Sequence, residues 1–186
     1  MNSVLTGLLL ASLLVSPIVS IDQAVRSRVQ ASRTEAMEGP MQTITHGSRK
    51  LLIAAAVVGL LAGPVGRAVV LEAVVALIPV NLAVEGLKWT VGRTRPDGDA
   101  KRKNSSFPSS HAANAWAAAA VLSRRWRRAW PIFAALAALV SFSRMFLDRH
   151  WLSDVSAGAL LGVGLALLAV QFLRRAKPAK ASTPVT

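Results

Sequence analysis

KWTVGRTRP (residues 88–96), PSSH (108–111) and SRMFLDRHWLSD (143–154) are polar islands in an otherwise apolar chain. Uncharged runs surround them, such as VLTGLLLASLLVSPIVSI at 4–21 and LLIAAAVVGLLA at 51–62. The islands hold Lys88, Arg95 and Arg144, His111 and His150, Ser109 and Ser110, and Asp154. Two of the three histidines lie there, with three cations, two hydroxyls and a carboxylate at set places. That pattern suggests chemistry on a phosphate beside a membrane.

Composition sets the frame for this reading. A length of 186 residues fits a single domain. A hydrophobic share of 53% and a mean hydropathy of +0.44 are high for a soluble protein of this size. The chain has 22 Lys and Arg against 9 Asp and Glu, a net charge of +13. Such a balance can serve nucleic acid, but the apolar runs argue against nucleic acid as a partner. In membrane proteins, basic residues gather at cytoplasmic helix ends and at anionic headgroups. Cysteine is absent, which excludes disulfides and thiolate metal sites. Trp89, Trp126, Trp130 and Trp151 stand at the edges of apolar runs, where indole rings favour the membrane–water interface.

Taken outward from the islands, the chain resolves into helices. Residues 4–21 lack the basic start and cleavage pattern of a signal peptide, so they read as an uncleaved membrane or interfacial helix. Residues 22–50 read as a short amphipathic surface helix and a loop, broken at Gly39-Pro40. Leu51–Ala62 and Ala68–Leu87 form two spans around a turn at 63–67. Each is near the lower limit of the ~20 residues that a bilayer core requires. Trp89–Phe107 is a loop outside the hydrocarbon, and Pro108 opens the next helix, where its missing N–H has no partner to lose. That helix ends in Arg124, Arg125, Arg127 and Arg128. Ala129 to about Leu147 and Val155–Leu173 are the last spans.

Six spans put both motif loops on one side and the arginine turn, Arg67 and the basic tail on the other. Lys and Arg number 13 on the motif side and 9 opposite, so the raw count opposes a simple positive-inside assignment. Dense basic runs beside helix ends carry the most weight. They place 124–128 and the tail in the cytoplasm and the motif loops outside it, in a bacterial inner (plasma) membrane.

A phosphate monoester requires cations and N–H donors around its oxygens, a nucleophile in line and an acid for the leaving oxygen. Lys88, Arg95 and Arg144 supply cations; arginine's fork can hold two oxygens at once. Ser109 and Ser110 offer hydroxyls, and their N–H groups sit in the first turn of a helix, where donors and dipole face an anion. A helical His150–Asp154 pair at i,i+4 would let Asp154 accept from one ring nitrogen, leaving the other as nucleophile. His111 would protonate the leaving alkoxide and then activate water. No cofactor and no metal enter this scheme, and no carboxylate cluster in the sequence is set to bind a metal.

These segments resemble the three signature motifs of the type 2 phosphatidic acid phosphatase family. That family shares its site with bacterial acid phosphatases and vanadium haloperoxidases. The patterns are Lys, six residues, Arg-Pro (Lys88 to Arg95-Pro96); Pro-Ser-Gly-His (Pro108-Ser109-Ser110-His111); and Ser-Arg, five residues, His, three residues, Asp (Ser143-Arg144, His150, Asp154). The resemblance covers about residues 68–173. It implies an all-α polytopic membrane bundle of about six transmembrane helices, with a core like the acid phosphatase/vanadium haloperoxidase fold. It also implies His150 as nucleophile, His111 as acid and base, and Lys88, Arg95, Ser109 and Arg144 on the phosphate. Ser110 replaces the motif glycine. Its N–H survives, so binding is expected to survive where the position does not need positive φ.

The expected division is an N-terminal helix and amphipathic segment (1–50), a membrane-embedded phosphatase domain (51–174) and a disordered basic tail (175–186). The expected function is a lipid phosphatase acting on phosphatidic acid, phosphatidylglycerol phosphate or undecaprenyl diphosphate. Its partners would be the bilayer and the phospholipid or polyprenyl phosphate substrate. The alternatives are a haloperoxidase-like enzyme and a non-catalytic lipid transporter or scaffold. His46 falls outside every pattern. Arg93, Lys101, Arg102 and Lys103 read as headgroup-facing charges, and Asp148 and Arg149 as interfacial. Asn114 serves either a helix–helix hydrogen bond or the site's surroundings, and Glu72 and Glu85 lie near the interface.

Overall fold

The computed structural model describes residues 2–100 and 104–176, with side chains from residue 16 onward except that of Arg49. Six long helices follow one another: α1 Asn2–Ala31, α2 Glu35–Leu61, α3 Gly63–Val91, α4 Ser110–Arg125, α5 Trp130–Phe146 and α6 Leu152–Arg175. No strand occurs among the described residues. Lys101, Arg102, Lys103 and the expected tail from residue 177 onward lie outside the described residues.

The helix ends follow local chemistry. Glu35 and Glu38 sit in the first turn of α2, where negative charge complements the helix dipole. A single residue, Ala62, joins α2 to α3, and Gly63 takes φ +80 at the joint, which a side chain would resist. Pro64 then fills the first turn of α3. Gly92, in the left-handed region, closes α3 as its N–H bonds to the Lys88 carbonyl. Pro131 occupies the first turn of α5.

Several boundaries differ from the sequence reading, the turn expected at 63–67 among them, since α3 starts at Gly63. Residues 22–50 are not a surface helix and loop, because α1 runs on to Ala31 and α2 already starts at Glu35. Gly39-Pro40 does not break α2: proline forfeits one hydrogen bond, and glycine before it removes the Cβ its ring would strike. Pro108 does not open α4. It precedes the N-cap Ser109, on a cis peptide bond with Phe107. The loop expected from Trp89 starts at Gly92, so Lys88 stands on the last turn of a helix.

The packing is inside out relative to a water-soluble protein. Leu61, Leu82, Leu160 and Phe172 are each at least 70% exposed. The core instead consists of small side chains: Ala76, Val80 and Val84 of α3, Ala113, Ala117 and Val121 of α4, and Ala166 and Val170 of α6. Each set repeats at i,i+4 and so forms one face. Among the described residues, α2, α3, α5 with its preceding turn, and α6 are long and apolar enough to cross a membrane. The 16 residues of α4 extend only about 24 Å. This helix needs neither length nor grease, since α3, α5 and α6 surround it.

Backbones touch where α6 crosses α4. A Cβ at Gly158 would stand 2.6 Å from the Ser109 carbonyl oxygen, and one at Gly162 would overlap the Ala113 carbonyl. Gly162→Val is therefore expected to destabilise by at least about 1–3 kcal/mol. Gly164→Ala, with nothing near its Cβ, is expected to be neutral or to gain up to about 1 kcal/mol of helix propensity. Thermal unfolding of both variants in detergent checks the contrast; equal midpoints would remove the close contact from the account.

Candidate active site

One cavity of ≈ 1070 Å³ opens where α4 and α6 begin. Lys88, Arg95, Ser110, His111, Arg144 and His150 all line it. Three motifs far apart in sequence are thus brought to one wall. The other two motif residues, Ser109 and Asp154, are fully buried behind it.

His150 is buried and lies one residue before the N-cap of α6, Trp151. Its Nδ1 stands 2.8 Å from the Ser106 carbonyl oxygen. A carbonyl only accepts, so Nδ1 carries the proton and Nε2 keeps its lone pair. The sequence reading gave this role to Asp154. Asp154 Oδ2 is instead 3.8 Å from Nδ1, beyond hydrogen-bond length, because His150 lies outside the helix that was to align the pair. Burial pushes the His150 pKa below its ordinary value of 6.5, and Arg144 and Arg95 add to that shift while Asp154 opposes it. The ring is neutral at physiological pH.

Asp154 serves the start of α6. Its Oδ2 accepts the Trp151 N–H at 2.9 Å, as an acidic residue in a first turn is suited to do. Its Oδ1 accepts Arg93 Nη1 at 2.7 Å. Arg93 is thus not a headgroup-facing charge but part of the wall behind the cavity.

The cations are held in different ways. Lys88 Nζ pairs with Glu85 at 2.9 Å. Arg95 donates to both the carbonyl and side-chain oxygens of Asn104, at 2.8 and 2.7 Å, and to the Arg149 carbonyl at 3.1 Å. Burial lowers its pKa, with Arg149 adding to the effect and Asp97 opposing it. Arg144, from α5, is the exception. Nη1 reaches Thr45 Oγ1 at 3.4 Å, and Nε is the one buried side-chain polar atom without a partner among the described residues. Thr45 Oγ1 is also 2.7 Å from Ser143 Oγ, so α2 braces the arginine.

The two serines diverge. Ser109 caps α4, its oxygen accepting the Ala112 N–H at 3.5 Å, and its own N–H donates to the Asp154 carbonyl at 3.1 Å. That N–H is not available to an anion, contrary to the sequence reading. Ser110 is the first residue of α4, where an N–H has no intrahelical partner. Asp148 alone among described non-glycine residues has positive φ, so Ser110 in place of glycine needs no special backbone.

Residues outside the motifs complete the picture. Asn114 exchanges hydrogen bonds with Asn81 at 3.0 and 3.1 Å, joining α3 to α4 beside the cavity. His46 lines the cavity from α2, although no sequence pattern marked it. Asp148 pairs with Arg26 at 2.6 Å, Arg149 with Asp97 at 2.7 Å and Glu72 with Arg174 at 3.1 Å. A second open groove of ≈ 750 Å³ near Arg124 and Arg127 contains no histidine or carboxylate. Among the described residues, no three His, Asp or Glu side chains gather as a metal site.

Residues 69–178 match the PAP2 superfamily. The chain is 39% identical over 80 residues to a lipid A 1-phosphatase of Porphyromonas gingivalis, covering 41% of this chain and 17% of that one. It is 30% identical over 118 residues to an undecaprenyl-diphosphatase of Sulfolobus acidocaldarius, covering 58% of this chain and 54% of that one. The chain therefore spans about half or less of the length of these relatives. Two solved structures share the fold. One is a transmembrane PAP2-type phosphatidylglycerolphosphate phosphatase of Bacillus subtilis, with a TM-score of 0.70, 23% identity and coverage of 87% and 88%. The other is LpxE of Aquifex aeolicus, with a TM-score of 0.70, 20% identity and coverage of 80% and 94%.

The buried Arg144 Nε without a partner is a strain that a bound anion would relieve. Arg144→Met is expected to unfold later than the parent without anion, since an unpaired buried donor costs about 1–3 kcal/mol. Orthovanadate is expected to raise the melting point of the parent and not of the variant. Melting curves with and without vanadate read both effects; a variant that melts lower in its absence would contradict the strain.

Proposed function

The chain belongs to the PAP2 superfamily, and from that premise we propose that it is a lipid phosphatase. It cleaves a phosphate monoester or diphosphate from a lipid through a phosphohistidine on His150. One observation carries this reading: a neutral histidine, its tautomer set by the Ser106 carbonyl, shares a cavity with Lys88, Arg95 and the partly unpartnered Arg144.

The geometry supports the following steps. The phosphate enters among Lys88, Arg95, Arg144 and the N–H of Ser110. Nε2 of His150 attacks phosphorus, and the bond to the lipid oxygen breaks. His111 gives that oxygen its proton, so a lipid alcohol leaves, or a lipid phosphate where the substrate is a diphosphate. The phosphorylated ring is cationic with Nδ1 still protonated; the Ser106 carbonyl and the Asp154 carboxylate at 3.8 Å stabilise it. His111 then takes a proton from water, and the hydroxide breaks the P–N bond to release phosphate and restore His150. The protein's own cations hold the phosphate throughout, which makes the reaction independent of metal.

Integral membrane placement lets a headgroup reach the cavity while its chain stays in the bilayer. Arg124 and Arg125 end α4 at the pole opposite His111, which supports a cytoplasmic arginine turn and an extracytoplasmic site in a bacterial plasma membrane. The relatives' names point to phosphatidylglycerol phosphate, undecaprenyl diphosphate and lipid A phosphates, alongside phosphatidic acid, as the panel to test.

Purified protein is expected to release phosphate from at least one member of this panel, with EDTA present and with vanadate inhibiting. His150→Ala is expected to lower release by at least about 10³-fold. Because attack needs neutral His150, whose pKa is depressed, the acid limb of kcat/KM is expected below pH 6.5. Full release by His150→Ala would end the phosphohistidine mechanism. Halide-dependent bromination with vanadate and no phosphate release would replace the phosphatase reading.

A further inference from the structure

We infer that Arg93 and Asp22 are positioning residues for the nucleophile: together they hold Asp154 at the base of α6 and off the His150 ring. The inference rests on His150 acting as proposed above.

Both oxygens of Asp154 are engaged, Oδ2 by the Trp151 N–H and Oδ1 by Arg93 Nη1. The other end of the Arg93 fork, Nη2, bonds to Asp22 Oδ2 at 2.7 Å. Asp22 comes from α1, outside the residues that match the family. It is 2% exposed, although its neighbours Val19 and Ile21 face outward. Its Oδ1 accepts the Ser153 N–H at 2.8 Å and its Oδ2 the Ser153 hydroxyl at 2.6 Å, so it braces the first turn of α6 from outside. The Arg93 guanidinium lies 5.5 Å from the Trp151 ring centre, which fixes its plane. The turn beginning at Trp151 is thus held by two carboxylates and one guanidinium.

This network carries two carboxylate charges against one cation. Buried ion pairs are poor stabilisers compared with apolar packing. An excess negative charge beside a histidine has a use when that histidine becomes cationic. While Arg93 draws Asp154 onto Oδ1, the carboxylate does not close on Nδ1, and the Ser106 carbonyl keeps the proton there. The other charged or titratable groups around the cavity are Arg95 and Arg149 from the loops, Arg149 paired with Asp97, Arg144 from α5, Lys88 paired with Glu85 on α3, Arg33, His46 and Lys50 at and along α2, and His111 on α4. Glu85 and Asp97 are taken up by Lys88 and Arg149, whereas Asp154 and, through Arg93, Asp22 are the anions on the side of the His150 ring.

Full-length protein carrying Asp22→Asn, Arg93→Gln or His150→Ala, assayed in detergent on a short-chain phosphatidic acid, tests this. Asp22→Asn and Arg93→Gln are each expected to lower kcat about ten- to a hundredfold through misplacement of the ring, with KM near the parental value. Their acid limbs are expected to move in opposite directions. Asp154 opposes the lowering of the His150 pKa, so freeing it from Arg93 is expected to move the limb up, and leaving Arg93 wholly to it by removing the Asp22 anion is expected to move the limb down. Misfolding reduces amplitude without moving a limb, so the pH profile of the folded fraction decides. Parental kcat and limbs in both variants, with His150→Ala inactive, overturn the positioning role alone. Activity retained by His150→Ala overturns the reading beneath it.

Discussion

The close crossing of α4 and α6 is the constraint on which the site depends. Gly158 admits the Ser109 carbonyl to within 2.6 Å of where a Cβ would stand. At that separation the Ser109 N–H reaches the Asp154 carbonyl, so the starts of both helices are joined directly. The first turn of α4 carries His111 and the first turn of α6 follows His150. A wider spacing would separate His111 from His150. Small residues at the contact therefore set chemical geometry as well as packing, because two backbones can approach this closely only without side chains between them.

Electrostatics at the site is a deliberate imbalance. Arg95 and Arg144 are both buried near His150, and burial of a cation is unfavourable unless it is paired. Arg95 is compensated by loop oxygens, whereas Arg144 keeps an unpartnered Nε. Burial favours the neutral form of His150 and these cations add to it, so charge suited to an anion also helps to keep a lone pair on that ring.

The sequence made the all-α membrane fold legible because its apolar runs are long and its polar islands narrow. Motif spacing brought Lys88, Arg95, Ser110, His111, Arg144 and His150 together as expected. What escaped were partners distant in the chain. Nothing in the local sequence says that the Ser106 carbonyl meets His150, that Thr45 meets Arg144, or that Asp22 meets Arg93, since each depends on packed helices. The Asp154 error has the same origin. An i,i+4 spacing aligns two side chains only if both lie in the helix, and α6 begins after His150. The alanines of α4 read as a membrane span, but their low bulk serves an enclosed helix.

Two parts of the chain build the cavity. The motif residues fall inside 69–178, the part that matches the family. The cavity wall nevertheless continues into α2 through Thr45, His46 and Lys50, and α1 reaches the turn behind His150 through Asp22. On the proposed reading, a cradle of Lys88, Arg95 and Arg144 would touch the group common to every lipid phosphate and carry no information about the rest of the molecule. Discrimination between headgroups must come from surfaces that touch something other than phosphate. In this cavity α2 supplies much of that remaining surface, so on the proposed reading the segment least legible as a motif would be the one placed to choose what the motifs act upon.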